Sequence, residues 1–261
     1  APDMAFMLRA GDLVNRAHRN SEWGEWTRAG GFLMAMIPSI PAAGNHEYRS
    51  YGEEDETRHL SIFWQPQFAL PDNGPEGVDA ETAYFIDYQG VRIISLNSAG
   101  EPAAQTAWLE KVLSTNEQRW TIVTHHHPIF SASGTRDNPE LREAWKPMYD
   151  RYGVDLALQG HDHTYARGRA VTHAENTTTG VNVRDDETGT VYVVSVSGRK
   201  MYDLKEDLWA GYEADMDRHA ENTQLFQVIH IDGDRLYFEA FTPMGELYDA
   251  FQLVKEEGRI S

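Results

Sequence analysis

Cysteine is absent from the 261-residue chain, which excludes disulfides, thiolate metal sites and a cysteine nucleophile together. Positive charge is scarce: 23 Lys and Arg against 41 Asp and Glu leave a net charge of −18, with an isoelectric point near 4.9. Such a surface repels phosphate backbones and anionic lipid, so neither long nucleic acid nor a membrane is an expected partner. No long hydrophobic run is present. The longest uncharged apolar stretch, residues 30–41, is broken by Gly and Pro and falls well short of the roughly 20 residues a spanning helix needs. An initiator Met and a signal peptide are missing too: the chain opens Ala1-Pro2-Asp3 and reads as a processed or trimmed product.

What remains is ordinary globular material, 41% hydrophobic and 25% charged, with no linker or repeat, so residues 1–261 read as a single domain. Four short apolar runs, residues 4–10, 36–43, 120–124 and 154–159, end abruptly at Gly or His and read as buried strands. Residues 105–116 carry Ala107, Trp108 and Val112 at helical spacing, and 138–152 open with an Asn cap and a Pro in the first turn. Strand and helix in alternation predict an α/β layered fold. Residues 83–87 and 91–97 flank Tyr88-Gln89-Gly90 as a hairpin, and 190–197, 224–232, 235–242 and 246–254 predict a second, mixed sheet. Residues 49–81 and 172–189 are turn-rich excursions in which substrate selection is expected to lie.

Chemistry gathers at the strand ends. The four runs pass into Gly11-Asp12, Gly44-Asn45-His46-Glu47, His125-His126-His127-Pro128 and Gly160-His161-Asp162-His163. Open α/β sheets bind ligands beyond the carboxyl ends of their strands, so these ends would bring Asp, Asn and several His into one crevice. Turn formation and strand capping are the plain alternative for each residue alone; four successive ends of metal-ligand type favour a metal centre. Imidazole, carboxylate and amide carbonyl donors without thiolate suit Zn, Mn, Fe, Ni or Co rather than Ca. From a regular strand His161 and His163 would point oppositely, whereas on a sharp turn after Gly160 they can address two ions. His18, His59, His173, His219 and His230 carry no such context and read as surface or core histidines.

Gly11-Asp12-Leu13-Val14-Asn15, Gly44-Asn45-His46-Glu47, His126-His127-Pro128 and Gly160-His161-Asp162-His163 resemble the ordered motifs of the calcineurin-like metallophosphoesterases. Three stretches further resemble the bacterial purple-acid-phosphatase-like branch: Gly160 through Arg167, Val193 through Tyr202, and Leu247-Tyr248-Asp249-Ala250-Phe251. The resemblance implies a four-layer α/β/β/α sandwich and a binuclear centre of two divalent or trivalent ions, Zn, Mn or Fe. That centre would hydrolyse phosphate monoesters or small phosphodiesters by in-line attack of a metal-bound hydroxide. It makes Asp12 the bridging carboxylate, assigns Asn45, His126 and His161 to one metal and His163 to the other, and gives His46 the leaving group or the phosphoryl oxygens. His127 becomes a phosphate contact or an outer support, and Arg167 an aid to anion binding or, the favoured reading, a structural ion pair. It also implies an extracytoplasmic location, periplasmic or secreted.

The alternatives are a nuclease or cyclic-nucleotide phosphodiesterase of the same fold, against the first of which −18 argues, and a non-catalytic metal-binding module. Two departures from the family pattern stand out. Where purple enzymes carry a Tyr three residues after the bridging Asp, this chain has Asn15, at best a weak metal donor, so neither purple colour nor tight Fe³⁺ is expected. The family's first strand, ending in Asp-x-His or Asp-x-Gly, has no counterpart; Asp217-Arg218-His219 has the letters, but acidic, helix-like sequence precedes it. The chain thus reads as N-terminally truncated, with one tight metal position, weak or no activity alone, and an exposed sheet edge open to self-association.

Overall fold

The computed structural model describes residues 4–51, 57–134, 136–170, 182–184 and 189–255. Strands β1 (Met7–Arg9) and β2 (Ser39–Pro41) pair in parallel across helix α1 (Asn20–Met36). Strands β3 (Tyr48–Arg49) and β4 (His59–Leu60), with the short helix α2 (Trp64–Gln67), give the 49–81 excursion its only regular structure among the described residues. The excursion is nonetheless anchored, because Trp64 is fully buried beside Trp23, Val14 and Ala17.

The large sheet follows. Strands β5 (Tyr84–Tyr88) and β6 (Val91–Ser95) form the expected hairpin, turning at Gln89 and Gly90, both at positive φ, as a tight two-residue turn requires. Helix α3 (Pro102–Ser114) leads to β7 (Trp120–His125), and α4 (Pro139–Tyr152) leads to β8 (Leu156–Gln159). Asn138 stands at the N-cap of α4 without a side-chain capping bond; its amide donates instead to the Pro128 carbonyl at 3.0 Å. Strand β9 (Tyr165–Ala170) turns back. Asn182–Arg184 forms β10, Val191–Val194 forms β11 and Ala214–Ala220 forms β12. The seven-stranded order is β12-β9-β11-β8-β7-β6-β5, with β6, β7, β8 and β11 parallel at its centre. Strands β13 (Phe226–Asp232), β14 (Arg235–Phe241) and β15 (Leu247–Val254) complete a second sheet in the order β10-β15-β14-β13. It is mixed, as expected, since β10 runs parallel to β15 and the rest are antiparallel.

Alternation along the central strands divides the core in two. Ile94, Val123, Ala157 and Tyr192 face α3 and α4, meeting Leu109, Val112, Trp145 and Tyr149. Ile93, Ile122, Leu156 and Val193 face the small sheet, meeting Leu236, Phe238, Phe251 and Leu253. Strand β2 joins that second core through Ile40, and the outer side of β1 is covered by α1, where Arg9 lies over Trp26 at 5.0 Å. The α/β/β/α layering follows from these contacts. Truncating a fully buried residue such as Trp145 would cost about 3–5 kcal/mol.

Three expectations need correction. The run at 190–197 is β11 of the large sheet, not part of the second, because it enters between β8 and β9. The stretch around Asp217-Arg218-His219 is strand β12, not helix-like: it lies at the edge of the large sheet, where acidic side chains stay solvated. Met36 ends α1, so the second apolar run is a strand only over Ser39–Pro41. Most of the 172–189 excursion, His173 included, lies outside the described residues.

Candidate metal centre

Each candidate group stands on a turn just past a strand. After β1, Gly11 at φ 83 and Asp12 at φ 53 reverse the chain; after β8, His161 at φ 69 and His163 at φ 52 do the same. Left-handed backbone is costly for residues with a Cβ and gathers where geometry is held for function. The close approach also needs glycine. A Cβ on Gly44 would come within 2.3 Å of Asp12 Oδ1, and one on Gly11 within 2.7 Å of His126 Nδ1.

The donors converge on one nitrogen. His126 Nε2 lies 3.1 Å from Asp12 Oδ2, 3.1 Å from Asn45 Oδ1 and 3.1 Å from His161 Nδ1. His126 Nδ1 donates to the Ala10 carbonyl at 2.7 Å, which leaves Nε2 as the lone-pair nitrogen facing the other donors. Ligands about 2.0–2.2 Å from a tetrahedral ion stand about 3.3–3.6 Å from one another, and the three separations from His126 Nε2 are close to that spacing. Donor atoms of His126, His127 and His161 also lie within 4.8 Å of one another. His127 Nδ1 pairs with Ser98 Oγ at 3.0 Å.

Other predicted residues sit around this set. His46 Nε2 is 3.9 Å from Asp12 Oδ2, while its Nδ1 donates to the Asn15 carbonyl at 2.7 Å. Asn15 thus contributes its backbone carbonyl here, and the residue is exposed. His163 stands apart from the four converging donors. Its Nδ1 donates to the Lys200 carbonyl at 2.9 Å, which leaves Nε2 without a hydrogen-bond partner among the described residues, and the Asp12 charge reaches it. His125 belongs to the core, edge-on to Trp145 at 5.1 Å. Arg167 is buried between Asp249 and Asp217, at 2.6 and 3.0 Å, an ion pair that ties the two sheets together.

Electrostatics suit a cation. Burial opposes ionisation of Asp12, yet the hydrogen bond and charge of His126, with the His46 backbone N–H, hold its pKa well below the usual carboxylate range. Burial likewise opposes charge on His126, but Asp12 outweighs it and raises the imidazole's pKa. Burial first, then neighbouring histidine charge, pushes His127 down to about 3 and His161 down to about 2, so both offer lone pairs at neutral pH.

Two residues escaped the sequence reading. Glu47 is fully buried and accepts backbone N–H groups of Gly44 at 2.7 Å, Asp12 at 2.9 Å and Leu13 at 3.0 Å, pinning two strand ends together. Burial and the Asp12 charge raise its pKa to about 7. Its place after Gly44-Asn45-His46 was the available signal. Arg136 donates to the His161 carbonyl at 2.9 Å, and nothing in its spacing marks it.

A family model described as calcineurin-like phosphoesterase matches residues 2–165. An uncharacterized protein of Mycobacterium tuberculosis is 30% identical, the match covering 74% of this chain and 42% of that protein. A purple acid phosphatase of Glycine max is 27% identical over 73% of this chain and 43% of its own length. The chain thus spans less than half the length of these relatives. Among solved structures, a purple acid phosphatase from yellow lupin (Lupinus luteus) seeds superposes with a TM-score of 0.73 at 21% identity. That superposition covers 98% of this chain and 47% of the lupin chain.

Proposed function

The chain belongs to the calcineurin-like phosphoesterase family, and from that premise we propose that it is the catalytic part of a metal-dependent hydrolase of phosphate monoesters or small phosphodiesters. The observation that carries the proposal is the convergence of Asp12, Asn45 and His161 on His126 Nε2. In this reading Asp12, Asn45, His126 and His161 hold one ion, and Asp12 with His163 reaches a second. When bound, the ions supply Lewis-acid polarisation of the phosphoryl group and activation of water. The chain's own residues do the rest. His46, fixed by its bond to Asn15 and open on its other nitrogen, protonates the leaving oxygen or binds a phosphoryl oxygen. His127, held by Ser98, lines the cluster beside His161, with ring centres 4.3 Å apart. Glu47 keeps Asp12 and Gly44 in register. Location outside the cytoplasm is part of the same proposal, on the likeness to purple acid phosphatases.

The deciding experiment assays the chain with added Zn²⁺ or Mn²⁺ on an aryl phosphate monoester, an aryl phosphodiester and single-stranded DNA. Metal-dependent hydrolysis of the monoester, weak in this chain by itself and abolished by chelator, is expected. Hydrolysis of none of the three under any metal would sink the proposal, and DNA as the best substrate would replace it with a nuclease.

A further inference from the structure

Beside the His161–His163 turn stands a pair of cations that this reading does not use. The Arg136 guanidinium lies 4.6 Å from the Tyr202 ring centre, and its Nη2 donates to the Tyr202 hydroxyl at 3.3 Å. The Lys200 ammonium lies 5.0 Å from the centre of the same ring. The arrangement is tied to the candidate metal residues at three points. Arg136 Nη1 donates to the His161 carbonyl, His163 Nδ1 to the Lys200 carbonyl, and the Tyr202 amide to the His163 carbonyl at 3.3 Å.

Neither cation has an acidic partner among the described residues, in a chain with 41 carboxylates. The buried or half-buried Arg92, Arg142, Arg167 and Arg169 are ion-paired, whereas half-buried Arg136 is held by a carbonyl and a phenol. Two cations on one ring repel each other. The ring quadrupole offsets part of that cost, and an anion in contact with either cation would offset more through charge-assisted hydrogen bonds. The charge of Arg136 acts on both His161 and His163, and that of Lys200 on His163. Through those three hydrogen bonds the pair is joined to the His161–His163 turn, whereas His46 stands at Asp12.

Building on the phosphoesterase reading, we propose that Arg136 and Lys200, set against Tyr202, form a subsite for a second anionic group on the substrate's leaving group. The preferred substrate class is then a phosphate ester carrying a further carboxylate or phosphoryl group near the scissile bond. The guanidinium fork would grip two oxygens of that group and the ammonium a third contact, so the pair acts on selection among esters.

The test compares ethyl phosphate, which has no second anion, with 2-phosphoglycolate, which adds a carboxylate, and ethane-1,2-diol bisphosphate, which adds a phosphoryl group through a second ester. With the metal-loaded chain, kcat/KM for at least one two-anion ester should exceed that for ethyl phosphate by about tenfold, roughly the worth of one charge-assisted hydrogen bond. In Arg136→Gln that ratio should collapse towards one through KM, with a smaller fall in Lys200→Gln; the arm that responds tells carboxylate from phosphoryl. A wild-type ratio near one in both arms, or a ratio unchanged by Arg136→Gln, overturns the subsite and leaves the phosphoesterase reading standing. Absence of all hydrolysis overturns that reading instead. Calorimetric binding of 2-phosphoglycolate against ethyl phosphate then decides the subsite: tighter binding lost in Arg136→Gln supports it, and equal binding refutes it.

Discussion

His46 and His126 are both histidines beside Asp12, and their hydrogen bonds separate their roles. His126 is buried, spends Nδ1 on the Ala10 carbonyl and turns Nε2 to three other donors. His46 is half-exposed, with Nε2 0.8 Å further from the same carboxylate oxygen, 3.9 against 3.1 Å. Replacing His126 with Ala should therefore abolish tight metal binding, read by metal analysis after dialysis. His46→Ala should keep near wild-type metal content while turnover falls by about 10²; parallel loss of metal would make His46 a ligand. Asn15 yields a second expectation at this scale. A neutral amide offers no phenolate-to-iron charge transfer, so the chain loaded with iron should be pale. An intense visible band would require a tyrosine to reach the iron. Metal-ligand types at strand ends pointed to the region, and the resemblance to the family motifs singled out Asp12, Asn45, His126 and His161 within it, with His126 taken over its histidine neighbours. They could not foresee that the Asn15 carbonyl holds His46, since the direction of groups in a turn leaves no periodic trace.

Strand ends, rather than strands, set the precision of the cluster. Gly44 sits at φ −102, so its backbone alone does not demand glycine; the demand is steric, since a Cβ there would stand 2.3 Å from Asp12 Oδ1 and 2.4 Å from the Asp12 amide nitrogen. Gly44→Ala should thus fold, with a modest loss of stability, while metal affinity drops at least tenfold because Asp12 is pushed off His126. Titration calorimetry beside thermal melting reads both quantities, and unchanged affinity would show that the turn yields. Elements with one strong signature were legible. The uniformly buried apolar run of β7 and the Pro-led helix α4 fall within a residue of expectation. Elements that mix signals were not. Strand β12, Ala-Asp-Met-Asp-Arg-His-Ala, is an edge strand whose acidic residues look helical, and β9, Tyr-Ala-Arg-Gly-Arg-Ala, buries two arginines that only Asp217 and Asp249 explain. Such strands are stabilised by partners far away in sequence, which a local reading does not reach.

Across the whole molecule the candidate centre is a seam. Asp12 and Asn45 come from the β1–β2 unit, which packs on the small-sheet side of the core; His126 and His161 come from β7 and β8 at the middle of the large sheet. Besides shared packing, the seam is closed by single contacts such as the Ala10 carbonyl with His126 and the Tyr84 hydroxyl with the Pro41 carbonyl at 2.6 Å. An ion held by donors from both units would bind the folded state and find no preformed site in the unfolded chain, so its binding energy adds to stability. At a free concentration 100 times its dissociation constant it should add about 2.7 kcal/mol. For a chain of this size that corresponds to a rise in Tm of about 5 °C or more. Chelator should reverse the rise, and His126→Ala should melt at a temperature indifferent to metal. The effect also has a sign in pH. His126 must give up a proton whose pKa Asp12 has raised, so the metal-induced rise should grow with pH through the titration of that imidazole and shrink in acid. A shift in Tm that persists in His126→Ala, or that strengthens as the pH falls, would place the ion somewhere other than this seam.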